Sequence, residues 1–200
     1  MNIGLYFGSF NPIHTGHLII ASHVLNEGGL DKVWFVVSPQ NPFKPSASLL
    51  NEYDRLHLVQ KAIEGDDRLR ASDVEFGLPR PSYSAFTLAH LSEKYPTHRF
   101  KIIMGSDSFQ NLNNWKNPEA IIRHYPILVY LRPGFPVTDT LGAEVQLLQA
   151  PLLEISATHI RKLVQAGKSI RYLVPEVVAD EIAASRFYTT PGPLSPKGGT

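Results

Sequence analysis

The chain has 200 residues, with 19 Lys and Arg against 18 Asp and Glu, and it has no cysteine. A net charge of +1 lacks the cation excess a nucleic-acid coat needs to displace counterions, and the missing thiols exclude disulfide scaffolds, thiolate metal sites and cysteine nucleophiles. An apolar fraction of 43% supports a buried core, the start MNIGLYFGSF has no signal-peptide pattern, and no stretch nears the ~18 apolar residues of a membrane span, so the expectation is a soluble, cytoplasmic, single-domain protein.

The first expected strand is residues 3–7 (IGLYF), and a helix follows over 17–26 until Gly28-Gly29 stops it. Residues 33–37 (VWFVV) form the second strand. A helix over 53–64 then places Leu56, Val59, Gln60 and Ile63 three or four apart, with Asn51 as its cap. A weaker strand is expected at 69–74, then a helix capped by Ser82 and running to about residue 95. Residues 100–104 (FKIIM) form a strand, Asn117-Pro118 opens a short helix to Arg123, and 127–131 (ILVYL) form another strand. A weak strand at 145–148 precedes two helices, one after Ser156 that ends at Gly167 and one from Val174-Pro175-Glu176 to about residue 185. The four strong strands are rich in β-branched and aromatic residues and too short for ordinary helices.

Strand alternating with helix predicts a Rossmann-like, doubly wound α/β fold with a parallel sheet. A small C-terminal helical part is expected over about 156–188, within one domain of residues 1–188. The last twelve residues, TTPGPLSPKGGT, hold three prolines and three glycines and are expected to be a disordered tail over 189–200. Ligands of such sheets bind outside the carboxyl ends of the strands, which directs attention to 8–17, 38–44, 105–115 and 132–133.

The sharpest feature there is GSFNPIHTGHL, residues 8–18. Gly8 and Gly16 let backbone approach a ligand closely. His14 and His17 share one face of a first helical turn, where unpaired N–H groups and the helix dipole attract an anion. Two imidazoles at a positive helix end make a donor-rich cradle for phosphate. The other readings are histidines that only cap the helix, and a zinc site, which normally needs three or four protein ligands. Late in the chain, ISATHIR (155–161) repeats the theme. Ser156 stands at a cap, Thr158 lies in the first turn, and Arg161 offers a planar fork on the same face. Lys44, between prolines, is placed to aim an ammonium at a phosphate or to lie solvated in its loop. Asp107, in Gly105-Ser106-Asp107, is placed to accept from ligand hydroxyls or to cap the following turn, and Trp115 presents a flat face for ring stacking or for the core.

GSFNPIHTGHL and ISATHIR resemble the HxGH and ISxTxIR signature of the nucleotidyltransferase superfamily. PSYSAFTLAHL (81–91), IMGSDSFQNLNNW (103–115), YLRPG (130–134) and the stretch to residue 178 resemble the bacterial nicotinate-nucleotide adenylyltransferases. The likeness spans about residues 1–187. It implies adenylyl transfer from ATP, with Mg²⁺, to nicotinate mononucleotide in NAD biosynthesis, giving deamido-NAD and pyrophosphate. It implies catalytic roles for His14, His17, Lys44 and Arg161. ATP contacts are implied for Gly8, Ser9, Phe10, His14, His17, Gly105, Asp107, Ile155, Ser156, Thr158 and Arg161. Nicotinate-nucleotide contacts are implied for Lys44, Thr87, Trp115 and Arg132, with no dedicated protein metal ligands, no nucleic-acid partner and no membrane. Phe43 stands where the family commonly carries His, and Asn11 where many members carry Asp. The alternatives are another acceptor (nicotinamide mononucleotide or phosphopantetheine), a non-catalytic nucleotide-binding regulator, and a fragment of a class I aminoacyl-tRNA synthetase, which the near-neutral charge and the absence of a KMSKS-like string disfavour. The sequence sets no oligomeric state.

Overall fold

The computed structural model describes residues 1–40, 49–151 and 153–189. The strands are β1 (Asn2–Gly8), β2 (Lys32–Val37), β3 (Leu69–Ser72), β4 (Arg99–Gly105), β5 (Ile127–Tyr130) and β6 (Val145–Leu148). They form one six-stranded sheet in the order β3-β2-β1-β4-β5-β6, and every pairing is parallel. The two strands with the weakest sequence signal, β3 and β6, sit at the edges, where only part of each strand is buried. The expected strand over 69–74 ends at Ser72, and a 3₁₀ turn, Val74–Gly77, takes its last residue.

The helices are α1 (Thr15–Glu27), α2 (Glu52–Ala62), α3 (Ser84–Lys94), α4 (Ser106–Gln110), α5 (Pro118–His124), α6 (Ala157–Gln165) and α7 (Glu176–Ala184). Strand residues alternate between two cores, as the period of two requires. Tyr6, Phe35 and Val37 meet α1, α2, α6 and α7 through Ile20, Val24, Leu58, Ile160 and Val178. Leu5, Val36 and Ile102 meet α3, α4 and α5 through Leu88, Phe109 and Ile121. The helical segments over 157–184 are thus part of the first core. Among the described residues no helix is long and apolar enough to cross a membrane. The tail expected over 189–200 lies outside the described residues except for Thr189.

Two helix starts differ from expectation. α1 begins at Thr15, two residues early, because His14 takes the cap position with an extended backbone. α3 begins at Ser84, so Tyr83 and not Ser82 precedes it. Ser82 stands at the wall of a cavity. The chain reverses its order of strand addition between β1 and β4, which pair with Leu5 beside Ile102 and Tyr6 beside Ile103. A crevice opens at such a switch point, beyond the carboxyl ends of the strands.

Candidate active site

The first motif fills the turn from β1 to α1. The backbone N–H of His14 donates to Nδ1 of His17 at 3.2 Å. Because Nδ1 accepts, a neutral His17 carries its proton on Nε2, which makes that nitrogen the donor. The two rings stack with centroids 3.6 Å apart and planes 25° apart. Gly16 makes room for this stack: a Cβ there would lie 3.1 Å from Nδ1 of His14. Phe10 and Tyr6 present ring contacts to His17 at 5.1 and 6.1 Å. His14 is 6% exposed, and its Nδ1 has no hydrogen-bond partner among the described residues. Burial, aided by the positive charge of Arg132, pushes its pKa down to about 4. A neutral, stacked His14 beside a packed His17 is held by van der Waals contact and a backbone bond, so neither ring needs substrate to find its place.

The second motif comes to the same turn. Ser156 accepts from the backbone N–H of His159 at 3.2 Å, which caps α6. Arg161 Nη1 donates to the carbonyl of Asn11 at 2.7 Å, and Nη2 donates to Thr158 Oγ1 at 3.3 Å. Ile155 faces Gly16, 3.9 Å from where its Cβ would stand. Thr15 N–H donates to the carbonyl of Leu173 at 2.9 Å, and its hydroxyl donates to that of Tyr172 at 3.3 Å. The starts of α1 and α6, about 140 residues apart in the chain, therefore share one edge of the sheet. The positive dipole ends of both helices lie there, and Arg161 adds a planar cation.

Beside them lies a cavity of about 640 Å³ at the β1–β4 switch. Of the expected site residues, Gly8, Ser9, Gly105, Asp107 and Trp115 line it. Glu75, Ser82, Tyr83, Ser84 and Lys116 also line it, and the sequence reading named none of these as site residues. The N-terminus of α3 opens here, which favours a negative group on a bound ligand.

Four of the expected site residues make contacts within the protein that bear on their roles. Thr87 does not line the cavity: it is 1% exposed, and its hydroxyl donates to Oε1 of Glu75 at 2.8 Å. It lies one helical turn inside α3, so it supports a wall residue. The Phe10 side chain is buried and packs beneath Gly8, where a Cβ would come within 2.8 Å of its ring; only its backbone is left to meet a ligand. Arg132 and Asp107, assigned above to different substrates, are a pair: Arg132 Nη1 donates to Asp107 Oδ2 at 3.0 Å. The backbone N–H of Arg132 donates to Ser106 Oγ at 2.9 Å, which ties the end of β5 to α4. Oδ1 of Asp107 is buried without a partner among the described residues. Lys44 lies outside the described residues.

Another group was hidden from the sequence. Arg55 on α2 is fully buried and donates to the carbonyls of Ser9 (2.6 Å), Ser38 (2.8 Å), Leu50 (2.8 Å) and Pro39 (3.2 Å). It ties the β1–α1 turn to the chain on either side of residues 41–48. An Arg on an amphipathic helix reads as solvated, and nothing local in the sequence distinguishes one that turns inward.

Residues 5–163 match the cytidylyltransferase-like family. A probable nicotinate-nucleotide adenylyltransferase of Cytophaga hutchinsonii is 52% identical over 190 residues, covering 94% of this chain and 99% of that one. Its namesake from Bacteroides fragilis is 47% identical over 180 residues, covering 90% of each. The chain belongs to this family of nucleotidyltransferases. Its fold is shared with Plasmodium falciparum nicotinic acid mononucleotide adenylyltransferase complexed with NaAD, at a TM-score of 0.80 and 20% identity over 94% of this chain and 97% of that one.

Proposed function

We propose that the protein transfers the adenylyl group of Mg²⁺–ATP to nicotinate mononucleotide, releasing pyrophosphate. The observation that carries this reading is the meeting of the two helix starts: Arg161 of the second motif bonds the Asn11 carbonyl of the first at 2.7 Å, beside a cavity walled by an aromatic ring and hydroxyls. The acceptor already brings its nucleophile. A phosphate oxygen attacks the α-phosphorus of ATP, a new P–O bond forms, the bond to the β-phosphate bridge breaks, and pyrophosphate departs. No covalent enzyme intermediate is needed, so catalysis is placement plus stabilisation of developing charge.

Nε2 of His17 donates to the reacting phosphate, with His14 stacked behind it. Ser156, Thr158 and Arg161 hold the phosphates that leave, and Lys44 adds a cation to them. Asp107 accepts from the ATP ribose through Oδ1. Trp115 stacks on the pyridine ring, and Ser84 with the start of α3 receives the ring carboxylate. Among the described residues no group of three His, Cys, Asp or Glu could hold a metal, and Mg²⁺ is assigned to the ATP oxygens as part of the substrate. The reading places the enzyme in the cytoplasm, acting on small molecules.

The test is pyrophosphate release from ATP and Mg²⁺ with nicotinate mononucleotide, nicotinamide mononucleotide and phosphopantetheine in parallel. Turnover fastest with the first supports the reading. ATP binding with no turnover of any acceptor rejects it in favour of a nucleotide-binding regulator.

A further inference from the structure

Arg55 is the buried cation that the reaction above leaves without a task. We propose that Arg55 is a positioning residue: from within α2 it holds the turn at Ser9–Asn11, and through that turn it sets where Arg161 meets the leaving phosphates. The inference rests on the adenylyl-transfer reading and adds a residue to its phosphate end.

The Arg55 side chain is fully buried. Its four hydrogen bonds all go to backbone carbonyls: Nη1 to Ser9 and Ser38, Nε to Leu50, and Nη2 to Pro39. None goes to a carboxylate. Glu52 acts on it only through space, being paired with Arg80 at 2.6 Å. Burying a cation without an ion-pair partner costs more than burying an apolar side chain of that size. Packing α2 against the sheet therefore does not call for a guanidinium, whereas gathering carbonyls from separate segments does.

Two routes run from this one group to the turn between β1 and α1. In the first, Nη1 holds the Ser9 carbonyl at 2.6 Å. In the second, Nε holds the Leu50 carbonyl at 2.8 Å, and the N–H of Leu50 donates to Oδ1 of Asn11 at 3.2 Å. Phe10 lies between the two anchored residues with a φ of 45°, a left-handed conformation that a bulky residue keeps only where its surroundings impose it. The carbonyl of Asn11 in turn accepts from Nη1 of Arg161 at 2.7 Å, and Nη2 of Arg161 continues to Thr158 Oγ1 at 3.3 Å. The bonds are thus contiguous from α2 to α6. Ser9 and Ser38 both line the cavity, so the nitrogen that bridges their carbonyls also sets the gap between the ends of β1 and β2. Without the fork the turn is free to relax, and the Asn11 carbonyl that aims Arg161 moves with it. A displacement of about 1 Å caused far from the chemistry costs up to about 10²-fold in rate.

The experiment is a double-variant cycle in the full chain, with kcat for pyrophosphate release measured at saturating ATP, Mg²⁺ and nicotinate mononucleotide, and folding checked by circular dichroism. R55K keeps the charge but loses the fork, and its kcat should fall by about 10–100-fold. R161K should fall as well. In R55K/R161K kcat should fall no further than in the worse single variant, because groups that act as one unit do not add. A merely structural Arg55 would lower the amount of active enzyme and multiply with the second loss. Losses that multiply, or wild-type kcat in either single variant, overturn the proposal. If R55K does not fold, the same cycle built on N11A, which cuts the second route and leaves Arg55 in place, decides by the same criteria. If the wild type turns over no acceptor, the adenylyl-transfer reading fails, and calorimetric titration of Mg²⁺–ATP into the four proteins still tests the network: losses of affinity that do not multiply uphold it, and losses that multiply or are absent overturn it.

Discussion

The proposed phosphate end and the proposed acceptor end of this site are built in different ways. The phosphate end is two short contiguous motifs, and much of its geometry comes from its own backbone. His14 N–H fixes His17, Ser156 caps α6, and Arg161 closes the gap between the motifs. The acceptor end is walled by β1, the end of β2, the 3₁₀ turn at Val74–Gly77, the start of α3 and the stretch after α4. Phosphate asks for donors and positive charge, which one helical turn supplies. A planar ring with one substituent asks for walls on several sides, which one turn cannot supply. Substitutions at the phosphate end should therefore slow the reaction with every acceptor alike, whereas those at the acceptor end should change discrimination or stability.

The largest effect is expected at His17. Removing one donor to developing charge costs roughly 10²–10³ in turnover. His17→Ala should lose that much kcat with both pyridine mononucleotides, with KM for the acceptor little changed. Pyrophosphate release measures it, and near-wild-type kcat in folded protein would remove His17 from the reaction. A loss confined to one acceptor would erase the proposed division between the two ends.

The same division explains what was legible in the sequence. The four strong strands follow from short runs of β-branched and aromatic residues, and the proposed phosphate residues follow from fixed spacing inside two motifs. The acceptor wall does not, because its members are brought together by packing. Thr87 and Ser84 look alike on a helix pattern, but α3 starts at Ser84, so one hydroxyl faces the cavity and the other is buried one turn inward. Glu75 and Arg55 read as surface charges, since a run of residues does not announce which polar side chain turns inward to hydroxyls or carbonyls. The pairing of Asp107 with Arg132 required knowing that β4 and β5 are neighbours.

Thr87→Val tests the acceptor wall next. The shape is nearly kept, but Oε1 of the buried Glu75 loses its donor. Leaving a buried acceptor unsatisfied costs about 1–3 kcal/mol. At roughly 2–4 °C per kcal/mol for a domain of this size, Tm should fall visibly while KM for ATP stays put. An unchanged Tm together with a raised acceptor KM would restore Thr87 as a direct contact.

At the phosphate end, His14 should leave a mark on stability against pH. Its folded pKa of about 4 lies below the ordinary value near 6.5, so below pH 6.5 the unfolded chain binds more protons than the folded one. Stability from this group is complete above about pH 6.5 and is lost as pH falls toward 4. Between pH 7 and 5 the loss is about 2 kcal/mol. Urea denaturation at the two pH values measures it, and His14→Asn should remove that part of the slope. An unaltered slope in the variant would mean that His14 titrates normally.

The smallest effect belongs to Arg132, which touches both ends at once. Its side chain is 46% exposed and that of Asp107 31%, so solvent screens the pair, and such pairs contribute about 0–1 kcal/mol. Arg132→Met should therefore cost less than about 1 kcal/mol in urea denaturation. Its electrical effect travels further than its stability effect. The guanidinium is the second cause holding the His14 pKa down, so without it the acid-side loss of stability should start from a His14 that protonates more readily, and the slope between pH 7 and 5 should shrink. The kinetic readout decides which end Arg132 serves. Arg132 Nη1 holds Oδ2 of Asp107 and leaves Oδ1 as the oxygen for a ribose hydroxyl, which predicts a rise in KM for ATP with acceptor KM unmoved. A rise in acceptor KM alone would return Arg132 to the ring side and would place a cation where the acceptor wall now offers Lys116 and hydroxyls.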